Sequence, residues 1–288
     1  MYRLITNGAT LVPAYYKSHI EEAERLRDCI LESSPEKSIL LARKYGHILD
    51  KGLQNPHVEA GHSRECYENA RNLISELKNT RYANDPTTAW VEEKLNEYEY
   101  LQAHGTLPEL ERSPSYHPNV RFEDLAMLIK GRRTNRRFKQ QPVDPNMAAE
   151  LIDLMNWAPS SCNKQPIKVF YTLNSNDVHE CMLCCAGATG FSDYVPSFFA
   201  MTADVRGYEW PSEMMLPYID VALGTQNFFL AATSLGLSGS ILSWAQKTGQ
   251  QEAKLRELLN IPSPYQIIMC GVLGYSEFDS PIPTRKLL

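Results

Sequence analysis

Nowhere in the 288 residues is there an uninterrupted apolar run of the 18 or so residues needed to cross a bilayer, so the sequence offers no membrane-spanning helix. Basic charge is not in excess either: 29 Lys and Arg stand against 34 Asp and Glu, for a formal net charge of −5. A general nucleic-acid binder gains affinity by releasing counterions along an extended basic face, and this balance argues against one. Cysteines number seven, an odd count without the spacing of a disulfide framework, which favours reduced thiols. His179, Cys181, Cys184 and Cys185 lack a second ligand pair at zinc-finger spacing and lack the run of an iron–sulfur site. No phosphate-binding Walker loop and no dinucleotide glycine fingerprint occur, and Gly236-Leu237-Ser238-Gly239-Ser240 does not place a serine midway between two glycines as a nucleophile elbow requires. The first eight residues lack the long apolar core and small-residue cleavage site of a secretory signal, making the cytoplasm the expected compartment.

What is present divides into two halves. Up to about residue 115 the pattern is helical, with Ser34-Pro35 and Asp85-Pro86 each offering an N-cap followed by proline at the first helical position. Val91, Leu95, Tyr98 and Leu101 then recur on one helix face. Pro108, Pro114 and Pro118 with Ser113 and Ser115 disfavour regular structure, so a linker is predicted there. The expected division is a helical region over 1–118 and a second domain over 119–288.

Helix and strand signals alternate in the second half. Asp144-Pro145 caps a helix bearing Met147, Leu151, Leu154 and Ala158 that must stop at Pro159. Ile167 to Tyr171, Phe198 to Ala203 and Gln266 to Leu273 read as strands. Tyr218 to Leu235 is apolar over a length too great for a strand, which predicts a helix buried on most sides whose Asp220, Gln226 and Asn227 need partners. Thr248 and Gln251 form a capping box opening a helix to about Asn260.

Two polar segments flank the Asp144 helix. Lys130-Gly131-Arg132-Arg133-Thr134-Asn135-Arg136-Arg137-Phe138-Lys139 packs six cations into ten residues. Such crowding is repulsive without a compensating anion, and a hydroxyl among guanidinium forks suits a phosphate, so a phosphorylated small molecule is the expected target. The second segment, Ala158-Pro159-Ser160-Ser161-Cys162-Asn163-Lys164-Gln165-Pro166, is a proline-restricted loop whose donors and acceptors suit a planar heterocycle. Alone, either segment is also compatible with a solvated charge run or a hydrogen-bonded turn.

In this order, and followed by Ala231-Ala232, Leu235-Gly236-Leu237, Ser240 to Trp244, Leu273-Gly274-Tyr275 and Pro281, Pro283, Arg285 and Lys286, the segments resemble the signature of the nitroreductase family of FMN-dependent oxidoreductases, over roughly Phe122 to Leu288. The resemblance implies an α+β sandwich, its central sheet flanked by helices, forming a homodimer with FMN at the subunit interface. It implies that Arg132 and Thr134, with Arg285 or Lys286, grip the phosphate, and that Arg133 lies along the ribityl chain. Arg136 matches a cation near the flavin N1 and O2 edge, where positive charge raises the reduction potential. Pro159, Ser160, Ser161, Asn163 and Gln165 match positions contributed by the other subunit, and backbone groups around Ile241 and Leu242 match those facing N5. Thr134 stands where many relatives have serine, and Ile167 where they often have tryptophan; neither change removes a cofactor hydrogen bond.

The activity implied is hydride transfer from NAD(P)H through flavin N5 to a small oxidised acceptor such as a nitroaromatic, quinone or conjugated alkene, in ping-pong order. No separate catalytic side chain and no metal are expected. The alternatives are a non-catalytic flavin-binding or interaction protein, or a specialised flavin enzyme that consumes its flavin or removes a halogen. The stretch from His47 to Pro56 resembles an extension found on some nitroreductase-like proteins, and places His47 and Lys51 as candidates for a lid over the flavin.

Overall fold

The computed structural model describes residues 8–55, 57–108 and 119–286. The expected linker and the boundary at 118 fall largely on 109–118, outside the described residues. Four helices come first: α1 (Gly8–Leu31), α2 (Pro35–Leu53), α3 (Arg64–Leu77) and α4 (Pro86–His104). The Ser34 side chain accepts from the Lys37 amide at the start of α2, and Asp85 does the same for Thr87 at the start of α4, so both predicted Pro-capped starts are realised. Leu49, Leu77, Val91, Tyr98 and Leu101 close a core between α2, α3 and α4.

An α+β sandwich follows, in the order α5 (Phe122–Gly131), α6 (Pro145–Asp153), β1 (Ile167–Thr172), α7 (Ser175–Leu183), β2 (Phe198–Asp204), α8 (Leu216–Ser234), β3 (Leu237–Leu242), α9 (Gly249–Leu259) and β4 (Tyr265–Tyr275). The strands form one antiparallel sheet in the order β1-β2-β4-β3. β2 is buried along its whole length, and period-two alternation sends Phe198 to one core and Phe199 to the other. One face packs α7 and α9 through Val178, Met182, Leu255 and Leu259, and the other packs α6 and α8 through Leu151, Val221 and Phe228.

Two expectations change. The Asp144 helix ends at Asp153 and continues as a 3₁₀ turn, Leu154–Trp157, which leaves Leu154 exposed rather than in the helix's buried stripe. α8 is buried on one face only: Val221, Phe228 and Phe229 point inward, while Tyr218, Ile219 and Leu223 are exposed. Apolar content cannot distinguish a helix covered by its own chain from one awaiting another surface.

The helical unit joins the sandwich through buried charge. Lys247 Nζ lies 2.8 Å from Glu22 and 3.5 Å from Glu252, and Arg25 lies 3.1 Å from Glu252. At the other seam Arg206 is held by Asp204 at 2.6 Å and by Glu36 of α2 at 3.6 Å. Gly207 admits α2 closely: a Cβ there would meet the Leu40 Cβ at 3.2 Å. Burial alone would raise the Glu252 carboxyl pKa, but Lys247, Arg256 and Arg25 outweigh it and hold the group below its ordinary value of 4.5. A depressed carboxyl contributes stability that is present above the unfolded-state value and lost as pH falls through the folded one. Glu252→Gln is therefore expected to cost about 3 kcal/mol at pH 7, measured by urea unfolding, with the difference from wild type vanishing in acid below that value.

Candidate functional site

The cationic segment leaves the C-terminal end of α5, where the helix dipole favours positive charge. Arg133 caps that end, its Nη1 donating to the carbonyls of Lys130 at 2.5 Å and Arg132 at 2.8 Å. The chain then crosses to the open edge of the sheet, where Thr134 bridges Gly239 of β3 in parallel and the Asn135 amide donates to the Gly239 carbonyl at 3.0 Å. Gly239 is required there, because a Cβ would stand 2.0 Å from the Val272 carbonyl oxygen. Asn135 and Phe138 turn inward, leaving Thr134 and Arg136 exposed and Arg132 half-buried. Among the described residues, no carboxylate lies within ion-pairing distance of Arg132, Arg133 or Arg136; Arg136 instead sits over the Phe191 ring at 5.8 Å.

β3 is an edge strand, and its polarity follows from one bond. The Gly239 carbonyl points away from β4 toward Asn135, so in a regular strand Ile241, two residues on, turns its own amide and carbonyl to the same open side. Ile241 is 55% exposed. Leu242 does the opposite, with its side chain in the core and its backbone groups directed at β4, so Ile241 is the available partner of the two. Arg285 and Lys286 are exposed in the irregular tail after β4.

The serine-bearing loop precedes β1, at the other edge. Its conformation is unusual: Cys162, Asn163 and Gln165 have φ of 51°, 53° and 52°, the left-handed region that non-glycine residues enter at a cost of roughly 1 kcal/mol or more each. Tethers hold it from several sides. Ser160 Oγ accepts from the Gln165 amide at 3.0 Å, and Gln165 Nε2 donates to Asn163 Oδ1 at 3.1 Å. Asp220, buried on α8, accepts from both the amide and hydroxyl of Ser161 at 3.0 Å and, through its other oxygen, from the Tyr208 hydroxyl at 2.7 Å. Burial, then the adjacent Asp220 charge, pushes the Tyr208 phenol far up and keeps it a donor. Lys164, with no exposed surface, pairs with Glu213 and lies 4.4 Å from the Tyr208 ring centroid. Burial would raise Glu213, but the bonds from Lys164 and the Trp210 amide prevail and lower it.

Within one chain the two polar segments do not meet. The loop enters β1 at Ile167, in register with Ala203 and through it Gln266, whereas Thr134 sits beside Gly239, in register with Leu273. Their separation is roughly 19 Å across the sheet and roughly 24 Å along it, at usual strand dimensions.

Several residues at the loop escaped the sequence reading. Arg43 and Lys44 of α2 reach it or its neighbours: Arg43 Nε donates to the Asn163 carbonyl at 2.8 Å, and Lys44 pairs with Glu209 at 2.8 Å. His47, one turn beyond Arg43, is half-buried, and Lys51 is exposed in the last turn of α2. Asp220 was expected only to need partners, and Lys164 had no expected role. The cysteines near His179 are core residues: Cys181, Cys184, Cys185 and Cys270 are buried, and burial pushes the Cys181 thiol up to about 12. Among the described residues no group of three His, Cys, Asp or Glu is placed to hold a metal, and no helix is long and apolar enough to cross a membrane.

Residues 129–183 and 194–275 match the Nitroreductase family. No curated protein matches the chain. Among solved structures, a nitroreductase-like protein from Streptococcus mutans superposes with a TM-score of 0.51 at 16% identity, covering 58% of this chain and 96% of that one. An FMN-dependent nitroreductase from Clostridium difficile gives 0.48 at 19% identity, covering 55% and 91%. Nitroreductase A from Vibrio parahaemolyticus gives 0.48 at 20%, covering 56% and 71%. The first of these similarities establishes a shared fold for the sandwich. α1 to α4 lie outside the family match.

The Asp220 tether yields a test. Tyr208→Phe strips one oxygen of a buried carboxylate of its donor, which is expected to cost about 1–3 kcal/mol in urea unfolding.

Proposed function

We propose, from the match of residues 129–183 and 194–275 to the Nitroreductase family, that the chain is a homodimeric FMN-dependent oxidoreductase. It passes hydride from NAD(P)H to a small oxidised acceptor, of the nitroaromatic, quinone or conjugated-alkene class, in ping-pong order. The observation that carries this reading is the open edge of β3. There Arg132 and Arg136, without carboxylate partners among the described residues, and the exposed Thr134 hydroxyl stand beside the outward-facing backbone of Ile241. Unpaired guanidinium groups with a hydroxyl fit a phosphate monoester, and a free amide on a rigid strand fits a heteroaromatic nitrogen. FMN held at this edge would supply hydride exchange at N5, chemistry that amino-acid side chains lack.

In this reading Arg132 and Thr134 hold the phosphate, with Arg285 or Lys286 closing over it from the tail. Arg136 sets a positive charge at the N1 and O2 edge, favouring the reduced form. Arg133, already engaged with the end of α5, keeps the segment in place and flanks the ribityl chain. Pro159, Ser160, Ser161, Asn163 and Gln165 seat the ring from a second copy of the chain, since their own copy holds them at the opposite corner of the sheet. The division that goes with this reading is a helical N-terminal extension over 1–118 and a flavin-binding domain over 119–288.

Exposed apolar surface supports the second copy. α5 buries none of its residues and exposes Phe122 (78%), Leu125, Met127 and Ile129, while α8 exposes Ile219 and Leu223 and the turn before the loop exposes Trp157 (78%). So many large apolar side chains on adjoining elements mark a protein–protein surface. Ile219→Glu with Leu223→Glu is expected to give monomers by analytical ultracentrifugation and to abolish FMN retention, because each site would lose its loop.

The enzymatic reading is tested by reconstitution. Arg132→Ala is expected to weaken FMN binding by about tenfold or more in fluorescence titration, the scale of a lost charge-assisted bond. Anaerobic addition of NADH or NADPH should bleach the bound flavin. Bound flavin that ignores both donors would leave a binding protein rather than this oxidoreductase.

A further inference from the structure

The loop that seats the ring is held in place by a helix outside the family match. Arg43, on α2, donates from Nε to the Asn163 carbonyl at 2.8 Å and from Nη1 to Thr87 Oγ1 of α4 at 2.9 Å. Its guanidinium stands 5.4 Å from the Trp90 ring centroid. It is thus fixed from two sides by the helical unit and spends its third contact on the main chain of the loop. That contact falls on one of the three residues held at positive φ. Such a conformation persists only when its surroundings over-determine it. The other tethers, Asp220 on Ser161 and Glu213 on Lys164, come from the sandwich and grip the two sides of Asn163 without touching its carbonyl.

We propose that Arg43 is a positioning residue through which the helical unit sets the ring-seating loop. Because that loop completes the site of the other subunit, an inference that rests on the function proposed above, each helical unit governs the flavin bound across the dimer rather than its own. The planar fork is what the task requires. One guanidinium can bond Thr87 and Asn163 in fixed directions while stacking on Trp90, and a lysine ammonium cannot.

The test uses the full-length dimer. In Arg43→Ala, amide hydrogen exchange across 160–165 should rise at least tenfold while the strands keep wild-type protection, and the FMN dissociation constant should rise at least tenfold. Arg43→Lys, which keeps charge and most of the bulk, should shift both in the same direction and serves if the alanine variant folds poorly. Mixed dimers then assign the site affected. A dimer of one Arg43→Ala and one Arg132→Ala subunit contains one site with both halves intact, and it should bind one FMN at wild-type affinity although neither homodimer does. Unchanged loop exchange in both Arg43 variants overturns the positioning role, and a mixed dimer without a tight site overturns action across the dimer. Failure of the wild type to bind FMN would instead sink the function proposed above, and the exchange measurement on the unliganded loop would still decide whether Arg43 holds it.

Discussion

A sheet hydrogen-bonded in the order β1-β2-β4-β3 cannot bring its outer edges together, and the two candidate cofactor-binding segments sit on opposite edges. The cations and the open backbone of Ile241 occupy the β3 edge, while the serine-bearing loop occupies the corner beyond β1. Two strands separate the edges, both packed with side chains on both faces, so no local rearrangement closes the gap. A ligand needing both must be shared between chains. The second copy proposed above would also cover the apolar surface on α5 and α8, which the single chain leaves exposed.

The loop shows how a strained backbone is kept. Three left-handed residues within four positions, Cys162, Asn163 and Gln165, would relax if the segment were free, and the fold prevents this with charge rather than bulk. Lys164 is the clearest instance: a fully buried ammonium is tolerated only beside the Glu213 carboxylate and over the face of Tyr208. Tyr208 in turn bonds Asp220, which bonds Ser161, so both sides of the loop share one buried network. Arg43 adds the tether from outside the sandwich. Removing any one partner leaves a buried polar group without its complement, and such networks therefore behave as units.

Much of the architecture was readable along the chain because its signals are local. Proline after a capping serine or aspartate marks α2, α4 and α6, the reciprocal capping box marks α9, and β1, β2 and β4 announce themselves as apolar runs between turn signals. β3 was not found as a strand from its residues. Leu237-Ser238-Gly239-Ser240-Ile241-Leu242 carries a glycine and two serines, which read as a turn, and its pairing is dictated by a β4 partner some thirty residues on, with Gly239 there because a carbonyl passes too close for any side chain. The cationic run and the serine loop were visible as compositions, and their family order gave them meaning.

By itself the sequence determined where the cationic run and the serine-bearing loop lie, where most helices begin, and that no apolar run is long enough for a bilayer, since each depends on residues close to one another along the chain. Only the tertiary structure decided that the two segments stand at opposite corners of one sheet, that Ile241 rather than Leu242 faces the open edge, and that Arg43 of a distant helix bonds the loop. Those facts arise from strand order, strand polarity and contacts between residues 120 or 59 positions apart, and nothing in the local spacing of side chains encodes them.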